Sequence, residues 1–220
     1  MSASVITIPV KRPAVNVKNI ALPIEHGSWG FVFEPLTAGL LIAFSPSALW
    51  IVLLVAGAFL TRQPLKVLLN AWQAKREMPQ TPVAQKFVLI YGAIFLLGLA
   101  GSLFFVPRTA FLPFLFILPL AAYQIYCDAS RKSRELLPEL TGAIAVSSSV
   151  AAIALADNWT FPAAIALWAI FVARLIPSIL YVRNRLRLEK GKDFSASLPV
   201  LSHLAALALT GALAFYGLSS

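Results

Sequence analysis

Hydrophobic residues in this chain fall into long runs, not into the alternation of a half-buried strand or the one-sided stripe of a surface helix. Crossing ~30 Å of hydrocarbon takes about 20 mostly apolar residues. Seven runs of that kind can be read, over residues 27–44, 49 to about 70, 87–106, 111 to about 126, 136–156, 161 to about 182 and 198–218. Hydrocarbon offers no partner to a backbone N–H or C=O, so each run is expected to be a helix. The pattern predicts an all-α, polytopic transmembrane helical bundle of about seven helices. It would form a single domain over residues 23–220, preceded by a cytoplasmic tail over residues 1–22.

The polar segments between the runs sort by charge. Lys11, Arg12 and Lys18 lie before the first run, Lys75, Arg76 and Lys86 between the second and third, and Arg131, Lys132 and Arg134 between the fourth and fifth. Arg183, Arg185, Arg187, Lys190 and Lys192 lie between the sixth and seventh. The alternate connections hold Ser45-Pro46-Ser47, Val106-Pro107-Arg108 and Asp157-Asn158-Trp159, where Arg108 is the lone cation. Basic loops stay in the cytoplasm, so the expected topology is N-terminus inside and, with an odd number of spans, C-terminus outside, in the cell (inner) membrane. The first residues carry no signal-peptide pattern, since the apolar stretch at ITIPV is short and follows no basic segment. The first span is therefore expected to drive insertion.

Composition agrees. The chain is 59% hydrophobic and 12% charged, with a mean hydropathy of +0.81, whereas soluble domains are about a quarter charged. Its net charge of +9 is thus read as topology signal, and no nucleic-acid partner is expected. One cysteine, Cys127, and two histidines near opposite ends of the chain leave no basis for a metal centre. No metal or cofactor is expected, and the partner the composition implies is membrane lipid.

Ionisable groups at bilayer depth cost at least a few kcal/mol and so mark sites or structural pairs. Glu34 precedes Pro35 in the first run. Arg62 and Lys66 share a face of the second, and Arg174 lies in the sixth, three residues before Pro177. The expected pairs are Glu34 with Arg62 and Glu139 with Arg174, in a cavity open to the cytoplasm. Lys66 also reads as snorkelling to the interface, and Glu139, after Pro138, as complementing a helix N-terminus. Glu25 and His26 form either a titratable site at the membrane entrance or a solvated cap beside an anchoring Trp29. His203 reads as a hydrogen-bonded packing residue, and Ser147-Ser148-Ser149 with the neighbouring alanines as close helix packing.

The segments PIEHGSWGFVFEP, TRQPLK and ARLIPSILYVRNRLRLEKG resemble the signature blocks of the YwiC-like family of bacterial membrane proteins. That resemblance implies no established activity. A more distant one, to the UbiA superfamily of intramembrane prenyltransferases, implies a UbiA-like arrangement of helices. Asn70, in NAWQAKRE, stands where that superfamily has its first Asp-rich motif. YCDASRK resembles the loop after its fourth helix, and YVRNRLRLEKG its second motif, with Arg183 and Arg187 where the aspartates would be. Those aspartates hold Mg²⁺, which needs oxygen ligands; arginine offers only donors. The inversion implies an anionic head group held directly by Arg183, Arg187, Lys66 and Asn70, with an isoprenoid-like or other lipid tail in the bundle. Topology and contact with anionic lipids account for the same cations. Three classes stay open: a UbiA-like lipid-binding protein or transferase, a small transporter, and a non-catalytic membrane assembly factor or partner subunit.

Overall fold

The computed structural model describes residues 16–23, 26–75, 78–130, 132, 135–193 and 195–217, with His26 through its backbone alone. Among these residues all regular structure is helical. A short α1 (Val17–Ala21) precedes α2 (His26–Ile42), α3 (Ala48–Gln73), α4 (Thr81–Phe105), α5 (Leu112–Ala129), α6 (Leu136–Ser147), α7 (Ser149–Ala156), α8 (Phe161–Glu189) and α9 (Ser197–Phe215). A single 3-10 turn over Arg108–Phe111 leads into α5. Proline in the first turn starts α4, α5 and α8, where its missing N–H costs nothing. Gly191, with φ +63, follows α8, a backbone conformation that glycine adopts without strain.

Every apolar run is helical, with four differences from expectation. The short α1 lies inside the polar N-terminal segment and packs on α3 and α4. The fifth run is two helices, because the Ser147 and Ser148 hydroxyls donate to the carbonyls of Ile144 (2.8 Å) and Ala145 (2.7 Å) and tighten the turn between α6 and α7. Helix α8 continues about two turns past Val182, so Arg183, Arg185 and Arg187 stand on a helix and not in a loop. Finally, six of the described helices, counting α6–α7 as one, are long and apolar enough to cross a membrane. Of the others, α1 has five residues, and the described part of α2 has 17, about 25 Å at 1.5 Å per residue.

Helix α7 is the axis of the bundle. All of its residues are buried, and small side chains (Ser149, Ala151, Ala152, Ala154, Ala156) let α2, α3, α5 and α8 approach it. Ile153 fits against Gly39 of α2, where a Cβ would come within 3.0 Å of its Cδ1. Helices α3 and α4 form a second closely packed unit. A Cβ on Gly98 would overlap the Leu54 backbone, one on Gly57 the Phe95 backbone, and one on Gly101 the Trp50 ring. By contrast α4 and α5, though consecutive, hardly touch, and α9 leans mainly on α8.

These contacts set an expectation for two glycines of one helix. Gly98→Ala should destabilise the protein by about 1–3 kcal/mol through overpacking, read as a lowered unfolding temperature in detergent. Gly92→Ala, where a Cβ meets nothing within 4 Å, should leave that temperature unchanged.

Candidate functional site

The gap between the α3–α4 hairpin and the α5–α6 pair is a cavity of about 1080 Å³. Its walls are aliphatic and aromatic: Val55 and Phe59 on α3, Phe95 and Leu99 on α4, Phe114 and Ile117 on α5. Along α3 the lining runs from Leu54 to Leu69, about 22 Å at 1.5 Å per residue. Polar groups gather at one end, where Arg62, Lys66, Gln124, Asp128 and Glu139 line it.

That end is organised by a carboxylate the sequence reading passed over. Asp128, 3% exposed, receives two hydrogen bonds from Arg62, Nε to Oδ2 at 2.7 Å and Nη2 to Oδ1 at 3.0 Å. The Lys66 ammonium, one turn further along α3, is 3.9 Å from the same carboxylate. The paired geometry suits a planar guanidinium and fixes its orientation. Gln124, one turn before Asp128, completes the set. Arginine has no acceptor and a carbonyl no donor, so the amide oxygen accepts from Arg62 Nη2 at 2.6 Å while the nitrogen donates to the Pro138 carbonyl on α6. Gly142 leaves the space the amide occupies, since a Cβ there would lie 3.0 Å from the end of the Gln124 side chain. Across the mouth, Arg183 of α8 donates to Glu139 of α6 at 2.7 Å. Among the described residues, the cations Arg62, Lys66 and Arg183 thus stand with the carboxylates Asp128 and Glu139 at this end.

The ion pairs differ from those expected. Arg62 pairs with Asp128 and not with Glu34; Glu34 pairs with Arg174; and Glu139, expected with Arg174, pairs with Arg183. Helix rotation explains the exchange: Glu34 and Arg174 face each other across a groove between α2 and α8, whereas Arg62 and Glu139 point into the large cavity. The Glu34–Arg174 pair lines a smaller hollow of about 130 Å³ with Gly30, Ser147 and Ser178, which adjoins the large cavity at Phe31 and Ser178.

The other candidates are dispersed. Asn70 stands one turn beyond Lys66 on α3, past Leu69, where the cavity lining ends. Arg187 donates from Nε to the Asp193 carbonyl at 3.0 Å and holds the turn after α8. His26 opens α2; its side chain and all of Glu25 lie outside the described residues. His203 Nδ1 is 2.8 Å from the Pro199 carbonyl on α9, but the residue is exposed instead of packed. Ser147, Ser148 and Ser149 are buried, and Ser147 accepts from Trp168 Nε1 at 3.0 Å, as close helix packing requires. Asp128 was legible in principle. Gln124 and Asp128 are four residues apart, the spacing of one helical face, but the fourth run was ended at Tyr126, one turn short of the end of α5.

Compared with known proteins, the chain matches a family model described as YwiC-like protein over residues 22–154, more than half of its length. That segment holds Glu34, Arg62, Lys66, Asp128 and Glu139 and stops before Arg174 and Arg183. No curated protein and no solved structure matches, so the likeness to the UbiA superfamily rests on the sequence motifs alone.

Removing one partner of a buried ion pair strands the other. Arg62→Ala is therefore expected to cost about 3 kcal/mol of stability. In a double-mutant cycle, Arg62→Ala with Asp128→Ala should cost less than the sum of the single changes by about 1 kcal/mol or more. Additive losses in thermal unfolding would show that the two groups do not interact.

Proposed function

The chain belongs to the YwiC-like protein family, and from its cavity we propose that it binds an amphipathic lipid with an anionic head group, isoprenoid-like or otherwise. One observation carries the reading: an apolar cavity about 1080 Å³ in volume, lined at one end by Arg62 and Lys66. Aliphatic and aromatic walls favour a hydrocarbon tail at about 0.8 kcal/mol per buried CH₂. Arginine and lysine at the polar end are the side chains that reach phosphate or carboxylate oxygens directly. Asp128 and Gln124 hold Arg62 in place, so little side-chain entropy is lost when an anion arrives. The narrow contact between α4 and α5 gives a tail a route from the surrounding bilayer without unpacking the α3–α4 hairpin.

On this reading the basic ends of α3, α5 and α8 face the cytoplasm and the ligand's head group lies at that surface. Helix α2 completes a seventh crossing, in which a modest mismatch with the hydrocarbon thickness is tolerated. The N-terminus is then inside and the C-terminus outside, in the cell membrane.

Native mass spectrometry of the detergent-extracted protein tests the binding. The wild type should carry a lipid adduct. Gly92→Trp, which projects into the cavity from a position with open space, should lose it while keeping its unfolding temperature. Lys66→Gln should weaken retention about tenfold, the equivalent of ~1.4 kcal/mol. A wild type without adduct, or full retention in Gly92→Trp, would refute the proposal.

Topology is tested separately with C-terminal fusions in a bacterial host. Alkaline phosphatase should be active there and green fluorescent protein dark; the reverse result would leave α2 as a helix that does not cross.

A further inference from the structure

The Glu34–Arg174 pair lies in a hollow that adjoins the large cavity at Phe31 and Ser178, and the lipid-binding reading does not use it. Glu34 lies eight residues from the end of α2 and Arg174 thirteen residues into α8, about 12 and 20 Å from those ends. Both are therefore at hydrocarbon depth. Yet the Arg174 side chain is 64% exposed and that of Glu34 39% exposed, with α9 already docked on α8. Lipid tails do not solvate a guanidinium and a carboxylate, and groups of this kind normally face protein or water inside a bundle.

The surroundings mix small and polar residues with apolar ones, unlike the outward faces of α4 and α9. On α4 and α9 those faces carry bulky apolar residues such as Leu96, Phe104, Leu204 and Leu207. Around the groove between α2 and α8 the outward residues are Gly30 and Thr37, interleaved with Phe33 and Leu41, on one side and Ser178 on the other. A Cβ on Gly30 would meet nothing within 4 Å, so room is left along the helix backbone. Small and polar residues at hydrocarbon depth are the composition of helix–helix interfaces in membranes.

We propose that the α2–α8 face is covered by a second copy of this chain, in a two-fold symmetric dimer. The argument for that occupant is charge complementarity. A two-fold axis brings residue i of one copy against residue j of the other and j against i. A neutral Glu–Arg pair is complementary to itself under that operation, because each carboxylate then lies between two guanidiniums. A foreign partner would have to bring a matching pair of its own.

The test co-expresses two differently tagged copies, extracts them in mild detergent and reads co-purification together with native mass. The wild type should give a dimer. Glu34→Arg alone and Arg174→Glu alone should each reduce co-purification about tenfold or more. Expressed together, the two single variants should restore association, because each supplies the charges the other lacks. Gly30→Trp, placed in the open groove, should abolish the dimer while the monomer keeps its unfolding temperature, which separates interface loss from misfolding. A monomeric wild type would overturn the proposal. So would an unrelated membrane protein in the dimer's place, or rescue by the double variant Glu34→Arg/Arg174→Glu without rescue by the mixed singles.

Discussion

The salt bridge between Arg62 and Asp128 is the constraint around which the large cavity is arranged. Helices α3 and α5 meet over a short stretch, and the pair ties them at one end through two hydrogen bonds. A buried carboxylate without a cation would be costly in so apolar a bundle, so the two helices are held together there whatever happens along the rest of their length. Gln124 extends the tie to α6, and Glu139 with Arg183 extends it to α8. Beyond this belt α4 and α5 diverge, and the space between them is lined by side chains that would otherwise have interdigitated.

Two kinds of helix contact thus divide the molecule. Where glycine and alanine let backbones approach, in the α3–α4 hairpin and around α7, the packing is close and the shape is set by dispersion contacts that a single methyl group disturbs. Where charged groups meet, the helices are joined at points and the intervening space stays open. The first kind supplies rigidity; the second supplies a cavity with a polar end. A lipid-binding protein needs both, since a ligand site is held in position by elements that do not themselves yield.

The helices were legible in the sequence because hydrocarbon leaves the backbone so few choices. Which helix faces which was not. A run such as 161–182 is apolar on nearly every side, and its periodicity does not reveal that Arg174 turns toward α2 while Arg183 turns toward α6. Hence the partners of Arg62, Glu34 and Glu139 differ from those the sequence suggests. Asp128 was missed for a related reason: a hydropathy reading stops a helix where polar residues begin, although α5 continues through Cys127 and Asp128 to Ala129. Helix α1 escaped because five residues carry no periodic signal, and the turn at Ser148 because its cause is a local hydroxyl bond within an unbroken apolar run.

The position of α7 in the chain bears on how the bundle is assembled. Its small residues are enclosed by helices made before it, α2, α3 and α5, and by one made after it, α8. A nascent chain that has reached Ala156 therefore has its central helix in the membrane with one flank open to lipid. Alanine and serine present little surface to acyl chains, so that flank gains little from the bilayer and much from the arrival of α8. Enclosure of the central helix thus waits for α8, and α9 docks on α8 after it.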